Sequence, residues 1–182
     1  SWREYFAKVI LLVMCFCACH SQAETPFSTG ASDESAFVRE HVLSMPQLIL
    51  ALRSAIERIG KYKGSTTYPS VRKVSRKELE REACEGQRCR FVKAAYVSNK
   101  GLYLDGALEP EYSPVDRSIL LHELVHHFQS STQRYAHLSP CTRQRVEEQE
   151  AYEIQNAYLA QVGGGRFFTF PERMYRCEAA DA

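Results

Sequence analysis

Ser118-Ile119-Leu120-Leu121-His122-Glu123-Leu124-Val125-His126-His127-Phe128-Gln129 is the stretch on which the reading of this chain turns. It reads as a helix from about Asp116 to Gln129. Residues four apart share a helix face, so His122 and His126 can direct two imidazoles at one ion. Glu123, one residue on, can reach a water on that ion without ligating it. Ile119, Leu120, Leu121, Leu124, Val125 and Phe128 make the rest of the helix apolar, which suits a buried element whose ligands are held rigidly. The plainer alternative is that these polar groups are simply satisfied by neighbours. Left unpaired in apolar surroundings, each would cost about 1–3 kcal/mol, and a metal accounts for all three together.

A catalytic zinc usually takes three protein ligands and keeps one position open. The metzincin arrangement does not supply the third, because Gln129 and Thr132 stand where its glycine and distal histidine would fall. The next helix, from about Arg143 to Val162, offers Glu147, Glu148 and Glu150, and a loop offers His137 as a weaker candidate. At Glu148-Gln149-Glu150-Ala151-Tyr152 the chain resembles the gluzincins, whose third ligand is a helical glutamate downstream of His-Glu-x-x-His. This run looks like the Glu-x-x-Ala-Asp element of the prenyl-protease and heat-shock-protease branch, with Tyr152 where that branch has Asp. The resemblance implies His122, His126 and Glu148 as metal ligands, Zn2+ as cofactor and Glu123 as catalytic general base. It also implies a peptide or protein substrate hydrolysed by metal-activated water. Spacing adds that Glu148, Tyr152 and Gln155 lie at i, i+4 and i+7 on one face. Glu147 and Glu150 stay open as rivals. Tyr152 offers a hydroxyl for an oxyanion, and core packing is an equal account of it.

Around these helices the pattern is α+β. Phe37 to Ile59 carries apolar residues at helical spacing, broken or restarted at Pro46 and ended at Gly60. Thr66 to Val74 looks strand-like, with Pro69 suggesting an edge, and Ser75 with Glu78 caps a short helix ending near Cys84. Phe91–Val97 and Leu102–Leu104 flank Ser98-Asn99-Lys100-Gly101 as a hairpin. Gly163-Gly164-Gly165 stops the last helix. The expected fold is a minimal zincin-like domain: a small antiparallel sheet packed with the two ligand-bearing helices, and residues 102–104 as an edge open to an extended peptide. The chain also resembles a family of small exported bacterial proteins that combine a Cys-x(4)-Cys loop, a hairpin, a His-Glu-Leu-Val-His-His-like helix and a Glu-Ala-Tyr helix. That likeness covers roughly residues 80–160 and carries no known substrate.

The apolar run Val9–Cys19 after Lys8 suits a secretory h-region, and Ser21-Gln22-Ala23 offers small residues for cleavage. Residues 1–23 therefore read as a signal peptide, 24–32 as a linker and 33–182 as the domain, with no membrane span in the mature chain. Phe16-Cys17-Ala18-Cys19 resembles a lipobox more weakly, so a lipoprotein anchored at Cys19 is the lesser option. The whole chain has a formal charge of +1 and only one basic cluster, Arg72, Lys73, Arg76 and Lys77, which gives no case for nucleic acid. A solvated helix entry accounts for those four. Cys84, Cys89, Cys141 and Cys177 remain after export and read as two disulfides, Cys84–Cys89 and Cys141–Cys177. The rival to an exported periplasmic or secreted peptidase is a zinc-binding scaffold or interaction module without turnover. Glu123 argues against it, since a structural site has no need of that base.

Overall fold

Of the two readings of Pro46, a helix start is the one found. In the computed structural model, which describes residues 42–63, 67–89, 91–165 and 167–177, α1 runs Met45–Gly60. Proline fits the first turn because the amide it lacks has no intrahelical partner there. The expected signal segment 1–23, the linker 24–32, Cys19 and the apolar positions before 42 lie outside the described residues. At the other end of α1, Gly60 approaches its neighbours so closely that a Cβ would stand 2.7 Å from the Ile154 side chain.

The same effect of proline displaces two helix starts from their sequence reading. Pro114 and Pro140 are each the first helical residue, ahead of the expected starts near Asp116 and Arg143. α3 runs Pro114–Thr132 behind Ser113, whose hydroxyl accepts the Asp116 amide, and α4 runs Pro140–Gln161 behind Ser139. Between them in chain order and α1 lie β1 (Val71–Val74), α2 (Arg76–Ala83), β2 (Ala94–Val97) and β3 (Gly101–Asp105). The Ser75 hydroxyl caps α2 as its sequence pattern implies, accepting from the Glu78 amide at 3.2 Å. A short 3-10 helix, Glu172–Tyr175, is the last element among the described residues.

The fold is α+β, but the sheet is mixed rather than wholly antiparallel. Its order is β1-β3-β2, with β2 antiparallel and β1 parallel to β3. Leu102–Leu104 are therefore paired on both sides, and the expectation that they form an open edge is wrong: β1 covers it, with Val71 opposite Leu102. Gly101 makes that approach possible. Its φ is +120°, and a Cβ there would fall 2.6 Å from the Ser70 carbonyl oxygen.

β3 is buried on both faces, which explains its unbroken apolar run. Leu102 and Leu104, with Ala94, face the main core built from α1, α3 and α4. Tyr103, with Ala95 and Val97, faces Leu79 and Ala83 of α2. The basic cluster is largely solvated, with Arg72, Lys73 and Lys77 exposed, and Arg76 and Lys77 form the first turn of α2. Arg72 and Lys73 lie in β1; Arg72 sits 4.5 Å above the Tyr103 ring, Lys73 pairs with Glu111 at 3.1 Å, and Arg76 pairs with Asp105. Two disulfides, Cys84–Cys89 and Cys141–Cys177, join the pairs expected.

Candidate metal centre

Every residue of α3 from Ser118 to Gln129 is buried, between the sheet on one side and α1 and α4 on the others. A helix with no polar face packs in this way because no side of it gains from water. His122 and His126 lie one turn apart on its α4-facing side, and Glu148 of α4 meets them. The three side chains form a triangle, with one Glu148 oxygen facing each imidazole: His122 Nε2 to His126 Nε2 is 3.1 Å, His122 Nε2 to Glu148 Oε2 3.5 Å, and His126 Nε2 to Glu148 Oε1 3.6 Å. Ligands about 2.0–2.1 Å from a tetrahedral ion are roughly 3.3 Å apart. This buried His-His-Glu group can hold a metal ion.

The surrounding hydrogen bonds determine which histidine nitrogens face the centre. Gln129 Nε2 donates to the Glu147 carbonyl at 2.8 Å, so its Oε1 is turned to His126 Nδ1 at 2.7 Å. Ser118 Oγ donates to the Val115 carbonyl and accepts from Gln155 Nε2 at 3.1 Å, so Gln155 Oε1 is turned to His122 Nδ1. Both amides therefore accept from Nδ1–H and leave both Nε2 lone pairs aimed inward, the tautomer that a metal requires. Two such lone pairs 3.1 Å apart repel unless a cation lies between them.

The carboxylates are in the same condition. Both Glu148 oxygens are buried without a hydrogen bond of normal geometry. Burial lifts the Glu148 pKa to about 7, against His126 and the Tyr175 hydroxyl, which pull it down. Glu123 Oε2 accepts the Tyr96 backbone N–H at 2.8 Å, while Oε1 is buried with no partner. Burial first, and the Glu148 charge second, push Glu123 to about 8. Burial also drives His122 down to about 3 and His126 to about 4. Four buried groups that each disfavour their charged form here have a common remedy in a bound cation.

The rivals for the third position are engaged elsewhere. Glu150 accepts from the Tyr62 hydroxyl and from Gln129 Nε2, and pairs with Arg134 at 3.3 Å. Glu147 lies outside the triad, and His137 is exposed. His127 turns away, its Nε2 donating to the Thr67 carbonyl at 3.0 Å. Tyr152 packs edge-on against the His122 ring, centroids 4.8 Å apart. Sequence reasoning found Gln155 but missed Gln129, Ser118, Tyr175 and the Tyr96 amide. Gln129 had a usable signal, three residues beyond His126 on one helix; the others are brought in only by folding.

Fold and site together define an α+β protein with a buried His-His-Glu group suited to a metal. The chain belongs to the family described as Domain of unknown function (DUF6647), which residues 41–167 match. That span contains His122, Glu123, His126 and Glu148 and ends before Phe168. Comparisons with curated proteins and with solved structures returned no match.

Proposed function

We propose that this protein is an exported zinc-dependent hydrolase, a peptidase of the gluzincin type. The observation that carries the reading is Glu123: a carboxylate buried beside the triad, one oxygen fixed by a backbone amide and the other without a partner. A site that only had to hold a metal would have no use for it. Two neutral imidazoles and one carboxylate suit zinc, which accepts nitrogen and oxygen donors and leaves a fourth position open when three are from protein. When bound by His122, His126 and Glu148, zinc would supply a Lewis acid that polarises a carbonyl and lowers the pKa of water from 15.7 to about 7.

The chain's own residues account for the remaining steps. Glu123 Oε1 takes a proton from the attacking water and returns it to the departing amine nitrogen. The Tyr96 amide holds Oε2, so the carboxylate need not reorient between the two transfers. Gln155 and Gln129 hold the imidazole rings in register. A peptide substrate is favoured because β2, the strand whose amide reaches Glu123, pairs among the described residues with β3 alone and so has a second side along which an extended chain can align. Export is supported by the two disulfides, which persist outside the reducing cytosol. Among the described residues no helix is long and apolar enough to cross a membrane.

The scaffold reading is favoured by one observation only, the complete burial of the site. Elemental analysis of the purified protein, together with cleavage of a mixed peptide library by wild type and Glu123→Gln, separates the two. One zinc per chain and cleavage lost in the variant are expected; zinc with no cleavage under any condition would leave a scaffold.

A further inference from the structure

His122, Glu123 and Glu148 are 0 % exposed and His126 is 1 % exposed, so nothing the size of a peptide reaches them in this conformation. The segment after α4 supplies part of that cover. Asn156 holds both backbone groups of Phe168, donating to its carbonyl at 2.7 Å and accepting its amide at 2.8 Å. The Phe170 ring stacks on Tyr175, centroids 5.4 Å apart, and tilts against Tyr152, which itself packs on His122. Tyr175 is buried with its hydroxyl toward Glu148, and Tyr152 and Glu123 lie close enough to act on it electrostatically. Two residues further, Cys177 is bonded to Cys141 in the first turn of α4. The ten residues from Phe168 to Cys177 are thus tied at both ends to the helix that carries Glu148. Phe170 and Tyr175 also line a cleft of about 250 Å3 with Arg145, Gln149, Glu172 and Arg176. Tyr175 thus touches both that cleft and Glu148.

We propose that residues 168–177 form a self-inhibitory strap, with Tyr175 as the plug over the His122, His126 and Glu148 group and the Cys141–Cys177 disulfide as its latch. What enters when the strap opens rests on the hydrolase reading; the closure itself does not. Cys141 and Cys177 are both only half-buried, so a dithiol reductant can reach the bond. Reduction breaks the S–S bond and leaves Cys141 and Cys177 as thiols with two electrons and two protons gained, while the dithiol becomes a disulfide. With the latch open, the strap keeps the Asn156–Phe168 attachment and can turn about it, withdrawing Tyr175 from Glu148. The other bridge, Cys84–Cys89, lies beside α2 and plays no part.

The test is histidine acylation by diethyl pyrocarbonate on chelator-treated protein, mapped by mass spectrometry, which needs neither metal nor substrate. Exposed His137 serves as the rate reference, and His127, buried against the Thr67 carbonyl, reports loss of the fold. In wild type, His122 and His126 should react far more slowly than His137. Their rates should rise at least tenfold in Cys177→Ser, in Tyr175→Ala and in wild type treated with dithiothreitol. The double variant Cys84→Ser/Cys89→Ser should behave as wild type. If His127 becomes reactive with them in Cys177→Ser, that variant has unfolded and Tyr175→Ala, which keeps both bridges, decides. Protection retained in Tyr175→Ala, or already absent in wild type, overturns the strap. Faster acylation in the opened protein without any peptide cleavage upholds the strap and sinks the hydrolase reading.

Discussion

The Nε2 atoms of His122 and His126 stand 3.1 Å apart, each on a ring whose Nδ1 faces a glutamine oxygen, Gln155 for His122 and Gln129 for His126. The relationship makes the two amides part of the metal site. Without Gln155 or Gln129 a ring can take the other tautomer or rotate, and its inward lone pair is no longer assured. Replacing either glutamine by leucine should weaken zinc binding about 10–100-fold with the fold retained. Competition against a zinc-sensitive dye measures it, and an unchanged affinity in both variants would separate the amides from the site.

Glu148 and Glu150 should part company under the same assay. Glu148→Ala removes one corner of the triangle and should release zinc at concentrations where wild type is saturated. Glu150→Ala leaves the triangle whole but strips partners from Tyr62, Gln129 and Arg134. It should lower stability by about 1–3 kcal/mol and affect zinc only through Gln129. Zinc lost from Glu150→Ala and kept by Glu148→Ala would place the gluzincin correspondence two residues out of register.

Glu123→Gln should fold, bind zinc and be inactive. The glutamine oxygen can still accept the Tyr96 amide, so the packing of β2 against α3 has no cause to change. What disappears is a group able to take and return a proton. Turnover equal to wild type on any peptide the wild type cleaves removes Glu123 from the mechanism.

These residues were legible to different degrees, for physical reasons. His122, Glu123 and His126 lie within one helical turn, where chain spacing and spatial proximity are the same thing. Glu148 is on another helix, and its placement came from resemblance, helped by the face it shares with Tyr152 and Gln155. β1 against β3 could not be read, because parallel pairing joins segments far apart in sequence with no turn to announce it. Missing that pair is also what left residues 102–104 looking like an edge. The starts of α3 and α4, expected near Asp116 and Arg143, fall instead at Pro114 and Pro140: proline is tolerated at a first turn, and the serine before each is the local sign of it. Tyr175 reaches Glu148 through a strap closed by a disulfide, which no local pattern encodes.

The buried charges also predict how the metal-free protein responds to pH. Glu123 and Glu148 have folded pKa values of about 8 and about 7 against an ordinary 4.5, chiefly through burial, and Glu147 is raised to about 7 in the same direction. Their contribution to stability is fully present below pH 4.5 and is lost as pH rises through 7 and 8, because the unfolded chain ionises first. His122 and His126 have folded values of about 3 and about 4 against 6.5, again through burial, with His127 lowered likewise. Their contribution is present above pH 6.5 and is lost as pH falls toward 4 and 3, because the unfolded chain takes up protons first. The slopes oppose each other between pH 4.5 and 6.5 and act alone outside that window. Chelator-treated protein should therefore melt highest on a plateau between about pH 4.5 and 6.5 and lower on both sides. Added zinc replaces the proton that a buried Glu148 would otherwise hold, so it should restore the melting temperature chiefly on the alkaline side. Thermal melts from pH 3.5 to 9, with and without zinc, give the comparison. A metal-free melting temperature that climbs steadily to pH 8 would mean that these carboxylates already have a counter-charge in the folded chain.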